Sequence, residues 1–122
     1  MDTPLSRTEA LQAVPVILPD IRTTRTDQNL IRIVYPGSMP RWLSAFSRFT
    51  PKLPLRTLEL DAMGTFVWEG IENGRSVRDL SAMLTARYGG LSSEAEQAVA
   101  LFIRDLGKRG IVGLHASSSV TE

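Results

Sequence analysis

Residues 60–88 read LDAMGTFVWEGIENGRSVRDLSAMLTARY, and this stretch decides the fold. It predicts two short helices joined by a tight turn. Asp61 suits the N-cap of the first, because a carboxylate accepts the free N–H groups of an opening turn. Met63, Phe66, Val67 and Ile71 then recur at helical spacing. Asn73 and Gly74 stop that helix, since both tolerate the left-handed backbone of a C-cap. Ser76 opens the second helix, with Asp79 in capping-box position. Val77, Leu80, Leu84 and Tyr88 give it an apolar stripe. A turn of about four residues holds such a pair at a steep angle, as in helix-turn-helix units. Trp68, beside Val67 and Ile71, is expected to be partly buried against a later helix.

Working upstream, residues 56–60 form a short strand. Arg56, Leu58 and Leu60 face one way, Thr57 and Glu59 the other. Residues 14–25 read as a first strand entered through Pro15. Pro19 cannot donate to a ladder, so this strand is either an edge or broken there. Turn residues follow at 26–29. Leu30, Arg32 and Val34 then alternate with Ile31, Ile33 and Tyr35, completing a hairpin. Residues 1–13 are read as a flexible terminus, although Ser6 and Glu9 have the spacing to cap one turn before Leu11.

Pro36 and Gly37 end the second strand, and residues 38–54 are an insertion. Trp42, Phe46 and Phe49 sit at i, i+4 and i+7, one apolar face of a short helix over Arg41 to Phe46 and beyond. From residue 28 to 58 the chain carries Arg32, Arg41, Arg48, Lys52 and Arg56 and no acidic residue. The bland reading is a helix packed over the sheet with a solvated basic rim. The sharper one is a docking patch through Arg41, Trp42, Phe46 and Arg48 for an enzyme or an acidic peptide. Attachment to a membrane surface is the weakest of the three.

Downstream, Gly89 and Gly90 break the chain. Ser93 and Glu96 have capping-box spacing for a third helix that runs to Arg109, and Gly110 stops it. Ile111 and Val112 fold back as an apolar clasp, and residues 115–122 are a flexible polar tail. Within the helix, Ala95, Val99, Phe102 and Leu106 form a core stripe, bordered by Ala98 and Ile103. Leu101 lies roughly 140° from its middle. The expected architecture is α+β and winged helix-turn-helix-like. A three-stranded antiparallel sheet is followed by three helices, with a helical insertion between strands two and three, in a single domain over residues 14–114.

The same stretch resembles the PqqD-like family. The shared pattern is leucine, an acidic residue, two positions, glycine, two apolar residues and Trp68. A glycine-containing turn follows, then Ser76-Val77, and then the Arg87-Tyr88 pair; a third helix ends in LGKRGIV. The resemblance spans roughly residues 14–114. It implies a RiPP recognition element, a module that binds the leader of a ribosomally made precursor peptide for a modifying enzyme, often a radical SAM protein. It also implies that the peptide lies between the third strand and the third helix.

Composition narrows the chemistry independently. A chain of 122 residues supports one domain with one modest core. A net charge of +1 gives no overall field for nucleic acid or an anionic membrane. With no cysteine and one histidine, His115, disulfides, thiolate chemistry and the usual zinc spacings are ruled out. No catalytic residue, metal ligand or cofactor site is expected. No apolar run approaches the roughly 18 residues of a membrane span, and no signal-peptide layout is present, so a cytoplasmic protein is the default.

The expected site is a groove. Arg56, Thr57, Leu58, Glu59 and Leu60 offer a strand edge to which an extended peptide adds. Ala98, Leu101, Asp105 and Lys108 share one helix flank as the opposite wall. Leu101 also reads simply as an isolated exposed leucine. Two other functions stand beside peptide recognition. A winged-helix nucleic-acid binder is disfavoured: Arg104, Lys108 and Arg109 are balanced by Glu94, Glu96 and Asp105 on the third helix. A scaffold subunit would use the Trp42, Phe46 and Phe49 face. A free strand edge also pairs a second copy as readily as a peptide, giving a homodimer.

Overall fold

The computed structural model describes residues 7–37 and 55–115. The expected helix at Arg41, Trp42, Phe46 and Arg48 lies outside the described residues.

The chain's local signals set the helical half. Asp61 accepts a hydrogen bond from the Gly64 N–H at 2.7 Å and starts α2 (Ala62–Glu72). The helix closes on Gly74, at φ 75°, where the Gly74 N–H reaches Ile71 O and the Arg75 N–H reaches Gly70 O. This paired arrangement satisfies two orphan carbonyls of the last turn. Ser76 Oγ accepts from the Asp79 N–H at 3.1 Å and starts α3 (Val77–Tyr88). The two helices cross closely at Gly70, where a Cβ would fall 2.4 Å from Leu80 Cδ2.

The third helix, α4 (Ser92–Lys108), begins earlier than the Ser93–Glu96 spacing predicts. Its N-cap is Leu91, and Glu94 Oε1 accepts from the Leu91 N–H at 3.3 Å. Its end repeats the closure of α2: the Gly110 N–H bonds Gly107 O and the Ile111 N–H bonds Leu106 O. That turn drives Ile111 into the core, fully buried.

Two sheets cover the helices. Strands β2 (Arg22–Arg25), β3 (Ile31–Pro36) and β4 (Leu55–Glu59) form an antiparallel sheet in that order. Arg32 pairs with Glu59 and Tyr35 with Arg56 across β3 and β4. Of the two outcomes that Pro19 allows for the strand read over 14–25, the break is the one found. Pro19 and Asp20, the latter at φ 72°, turn the chain, so that β1 (Val14–Ile17) leaves this sheet. It pairs instead with β5 (Val112–His115), Val14 opposite His115 and Ile17 opposite Val112. His115 therefore ends a strand where the sequence reading began a tail. Residues 7–12 likewise form a helix, α1 (Arg7–Gln12), although the sequence there reads as a flexible terminus. Leu11 within it and Ala13 just after it are buried, and Ala13 O accepts from the Val77 N–H at 2.9 Å.

The core lies between the sheet and the three helices. Ile31, Ile33 and Tyr35 enter it from β3, Val67, Trp68 and Ile71 from α2, and Leu80 and Leu84 from α3. From α4 come Ala95, Val99, Ile103 and Leu106; Ile103, expected on the border, is buried while Phe102 is only partly so. Trp68 is 0% exposed, more than the partial burial expected, and its Nε1–H donates to Glu72 Oε2 at 3.1 Å. The ends of two predicted stripes, Met63 and Tyr88, are exposed, and Tyr88 meets the Phe66 ring edge-on.

Candidate functional site

β4 is the site's first element, and its value comes from hydrogen-bond alternation. The Leu60 N–H donates to Ile31 O at 2.8 Å, which makes residues 31 and 60 a hydrogen-bonded pair. In an antiparallel ladder such pairs alternate, so Leu58 and Arg56 also turn their backbone groups toward β3. Leu55, Thr57 and Glu59 turn theirs outward. No described strand lies beyond β4, so among the described residues that edge is open.

Side chains on β4 divide as the sequence predicts. Leu58 is half-buried over the core opposite Ile33, and Leu60 is buried. Arg56 lies on the same inner face, exposed, opposite Tyr35. Thr57 and Glu59 occupy the outer face, where Glu59 Oε2 accepts from Arg32 Nη2 at 2.7 Å.

A cleft of about 400 Å³ opens where β4 gives way to α2. Its rim carries Glu59 and Asp61, while Met63, Val67, Leu84, Ala98 and Phe102 make its apolar walls. Leu60 and Val99 help to line it. This size suits one or two side chains, and an apolar pocket with few polar groups is the usual form of a binding site.

The predicted site residues fall in three places. Glu59, Leu60 and Ala98 come together in the cleft. Arg56, Thr57 and Leu58 continue along the strand toward the other end of α4. Leu101 is 63% exposed and does not line the cleft; the helix faces the cleft through Ala98 and Phe102 instead. Asp105 pairs with Arg109, Oδ2 accepting from Nε at 3.1 Å. Lys108 lines a separate depression with Asp20, Pro36 and Arg109. Sequence periodicity assigned Phe102 and Leu84 to the core and Met63 to its helix stripe. No separate signal marks them as site residues, because a cleft wall shares the core's apolar pattern.

Arg109 ties the far end of the groove together. Its Nη1–H donates to the Tyr35 hydroxyl oxygen at 2.8 Å while Nε holds Asp105. The bond to Tyr35, and then that to Asp105, holds the guanidinium pKa above its ordinary value, so this group stays charged. Among the described residues no three carboxylates or histidines gather to hold a metal ion, and no helix is long and apolar enough to cross a membrane.

The overall fold is shared with a known structure. The solved structure of TbiB1 in complex with the TbiA(beta) leader peptide matches with a TM-score of 0.60 at 16% identity, covering 80% of this chain and 93% of that one. The chain belongs to the coenzyme PQQ synthesis protein D (PqqD) family, whose model matches residues 52–112. A comparison with curated proteins found no match.

Proposed function

We propose that the chain is a non-catalytic recognition module for the leader of a ribosomally made precursor peptide, which it presents in the cytoplasm to a modifying enzyme of the radical SAM type. The observation that carries this reading is the open β4 edge beside an apolar cleft. Membership in the PqqD family supports it, as does a shared fold with TbiB1, which is solved with a leader peptide. The leader adds as a strand outside Thr57 and Glu59, taking main-chain hydrogen bonds from them. Arg56, Leu58 and Leu60 flank it on the inner face. Ala98 and Phe102 receive an apolar side chain, with Leu101, Asp105 and Lys108 on the helix side of the path. An unoccupied edge also pairs two copies of the chain, and the leader then competes with the dimer.

Isothermal titration with the leader of a precursor encoded nearby tests this. The parent protein is expected to bind and Thr57→Pro to lose most of that affinity. Proline at 57 removes a donor that points to the open edge and leaves the β3 ladder intact. Absence of binding to every neighbouring precursor at high micromolar concentration would sink the reading.

A further inference from the structure

The groove has two chemically different ends, and their order follows from two contacts. Ala98 and Phe102 of α4 line the cleft with Glu59 and Leu60. Eleven positions after Ala98, Arg109 reaches Tyr35, whose partner across the ladder is Arg56. So α4 runs antiparallel to β4, and a path along the β4 edge leads from the apolar cleft at Leu60 to the charged residues around Arg56.

The charges at these ends are opposite. At the apolar end the charged lining residues are Glu59 and Asp61, both acidic. Glu59 is shared with Arg32 on the outer face, and Asp61 caps α2. At the other end stand Arg56, Lys108 and Arg109 with two carboxylates: Asp105, which is already bound to Arg109, and Asp20, which lines the depression beside Lys108. Among the described residues no carboxylate forms an ion pair with Arg56 or Lys108.

We infer that the groove selects a peptide with an acidic side chain four residues from its apolar anchor. This rests on the peptide-recognition reading above and adds the chemistry of the ligand. The spacing comes from strand geometry. From Leu60 to Arg56 is four steps of roughly 3.3 Å, or ~13 Å. Side chains of an added strand face α4 only at every second residue. An acid two residues from the anchor lies opposite Leu58, short of the basic end; one at four residues reaches Arg56. An acid beside the anchor meets Glu59 and Asp61 instead, which opposes the reversed placement. The rule holds for either chain direction of the added strand, with the order of the two residues inverted.

The test is selection of a randomised peptide display library on the full chain, repeated on Arg56→Glu and Arg56→Gln. Both variants change an exposed side chain, and a thermal melt confirms that each is folded. For the parent, enriched peptides carry Asp or Glu four positions from a large apolar residue. A synthetic peptide of that kind binds Arg56→Gln about two- to fivefold more weakly, the range of one exposed charge pair. Selection on Arg56→Glu loses the acidic preference. Enriched peptides with an apolar residue and no acid at that spacing, or an acidic preference that survives in Arg56→Glu, overturn the inference and leave the groove itself standing. If nothing is enriched on the parent protein, the peptide-recognition reading falls and the inference with it.

Discussion

Arg109 Nη1–H donates to the hydroxyl oxygen of Tyr35 across 2.8 Å, which fastens the C-cap of α4 to the centre of the three-stranded sheet. The helix and the sheet are the two walls of the groove, so this bond sets their spacing at one end. Tyr35→Phe keeps the buried ring and removes the acceptor. Its loss is expected to cost about 1 kcal/mol in urea unfolding. The pH dependence has a definite sign. A raised guanidinium pKa contributes stability that is complete below the ordinary arginine value and fades only above it. The difference between parent and Tyr35→Phe should therefore stay constant across neutral pH. A difference that changes between mildly acidic and mildly basic solution would assign the effect to another group.

Gly70→Ala weighs two opposed effects. Replacing an interior helix glycine gains up to about 1 kcal/mol from propensity. The new Cβ, however, would lie 2.4 Å from Leu80 Cδ2, and Leu80 is buried. Overpacking of this kind costs about 1–3 kcal/mol, so a net loss is expected. A variant at least as stable as the parent in chemical denaturation would show that α2 and α3 separate freely.

Trp68→Ala should cost about 3–5 kcal/mol, because the ring is wholly enclosed and its removal leaves a large cavity. Trp68→Phe keeps most of the volume but loses the bond to Glu72, and it should cost distinctly less. Equal losses for the two would mean that the hydrogen bond, and not packing, carries the residue's weight.

The helix α4 separates stability from recognition. Leu106→Glu buries a charge in the core and should unfold the domain. Ala98→Glu puts a charge on a cleft wall and should weaken leader binding at least tenfold while the fold survives, since Ala98 is exposed. Leu101→Glu, outside the cleft lining, should weaken it less than Ala98→Glu. The reverse ranking in a titration would move the peptide's apolar anchor from the cleft to the Leu101 side of the helix.

Much of the fold is legible in residues that act on their nearest neighbours. Asp61, Ser76, Gly74 and Gly110 start or stop helices by local hydrogen bonds, and all four behave as their types predict. Pairings between distant segments are not local. β5 has four residues, and its partner β1 lies at the other end of the domain, so nothing near Val112 announces a strand. The six-residue α1 fails for the same reason: its support comes from α3, not from its own sequence. At Pro19 and Asp20 the sequence signals a break but cannot say that the two halves join different sheets. The open edge of β4 and its inner-face residues are readable from alternation. The helix wall is only partly so: the cleft takes Ala98 from the predicted flank together with Phe102 from the core side, and Leu101 lies about 100° further round the helix.

The central claim is that a leader peptide adds to β4 as a strand. Amide hydrogen exchange at Thr57 and Glu59, with and without saturating leader, measures this most directly. Both N–H groups point away from β3 and should exchange fast in the free protein, whereas those of Arg56 and Leu58 are held in the ladder. On binding, Thr57 and Glu59 should become protected by at least an order of magnitude. A leader that binds while both amides keep their free exchange rates would contradict strand addition at this edge.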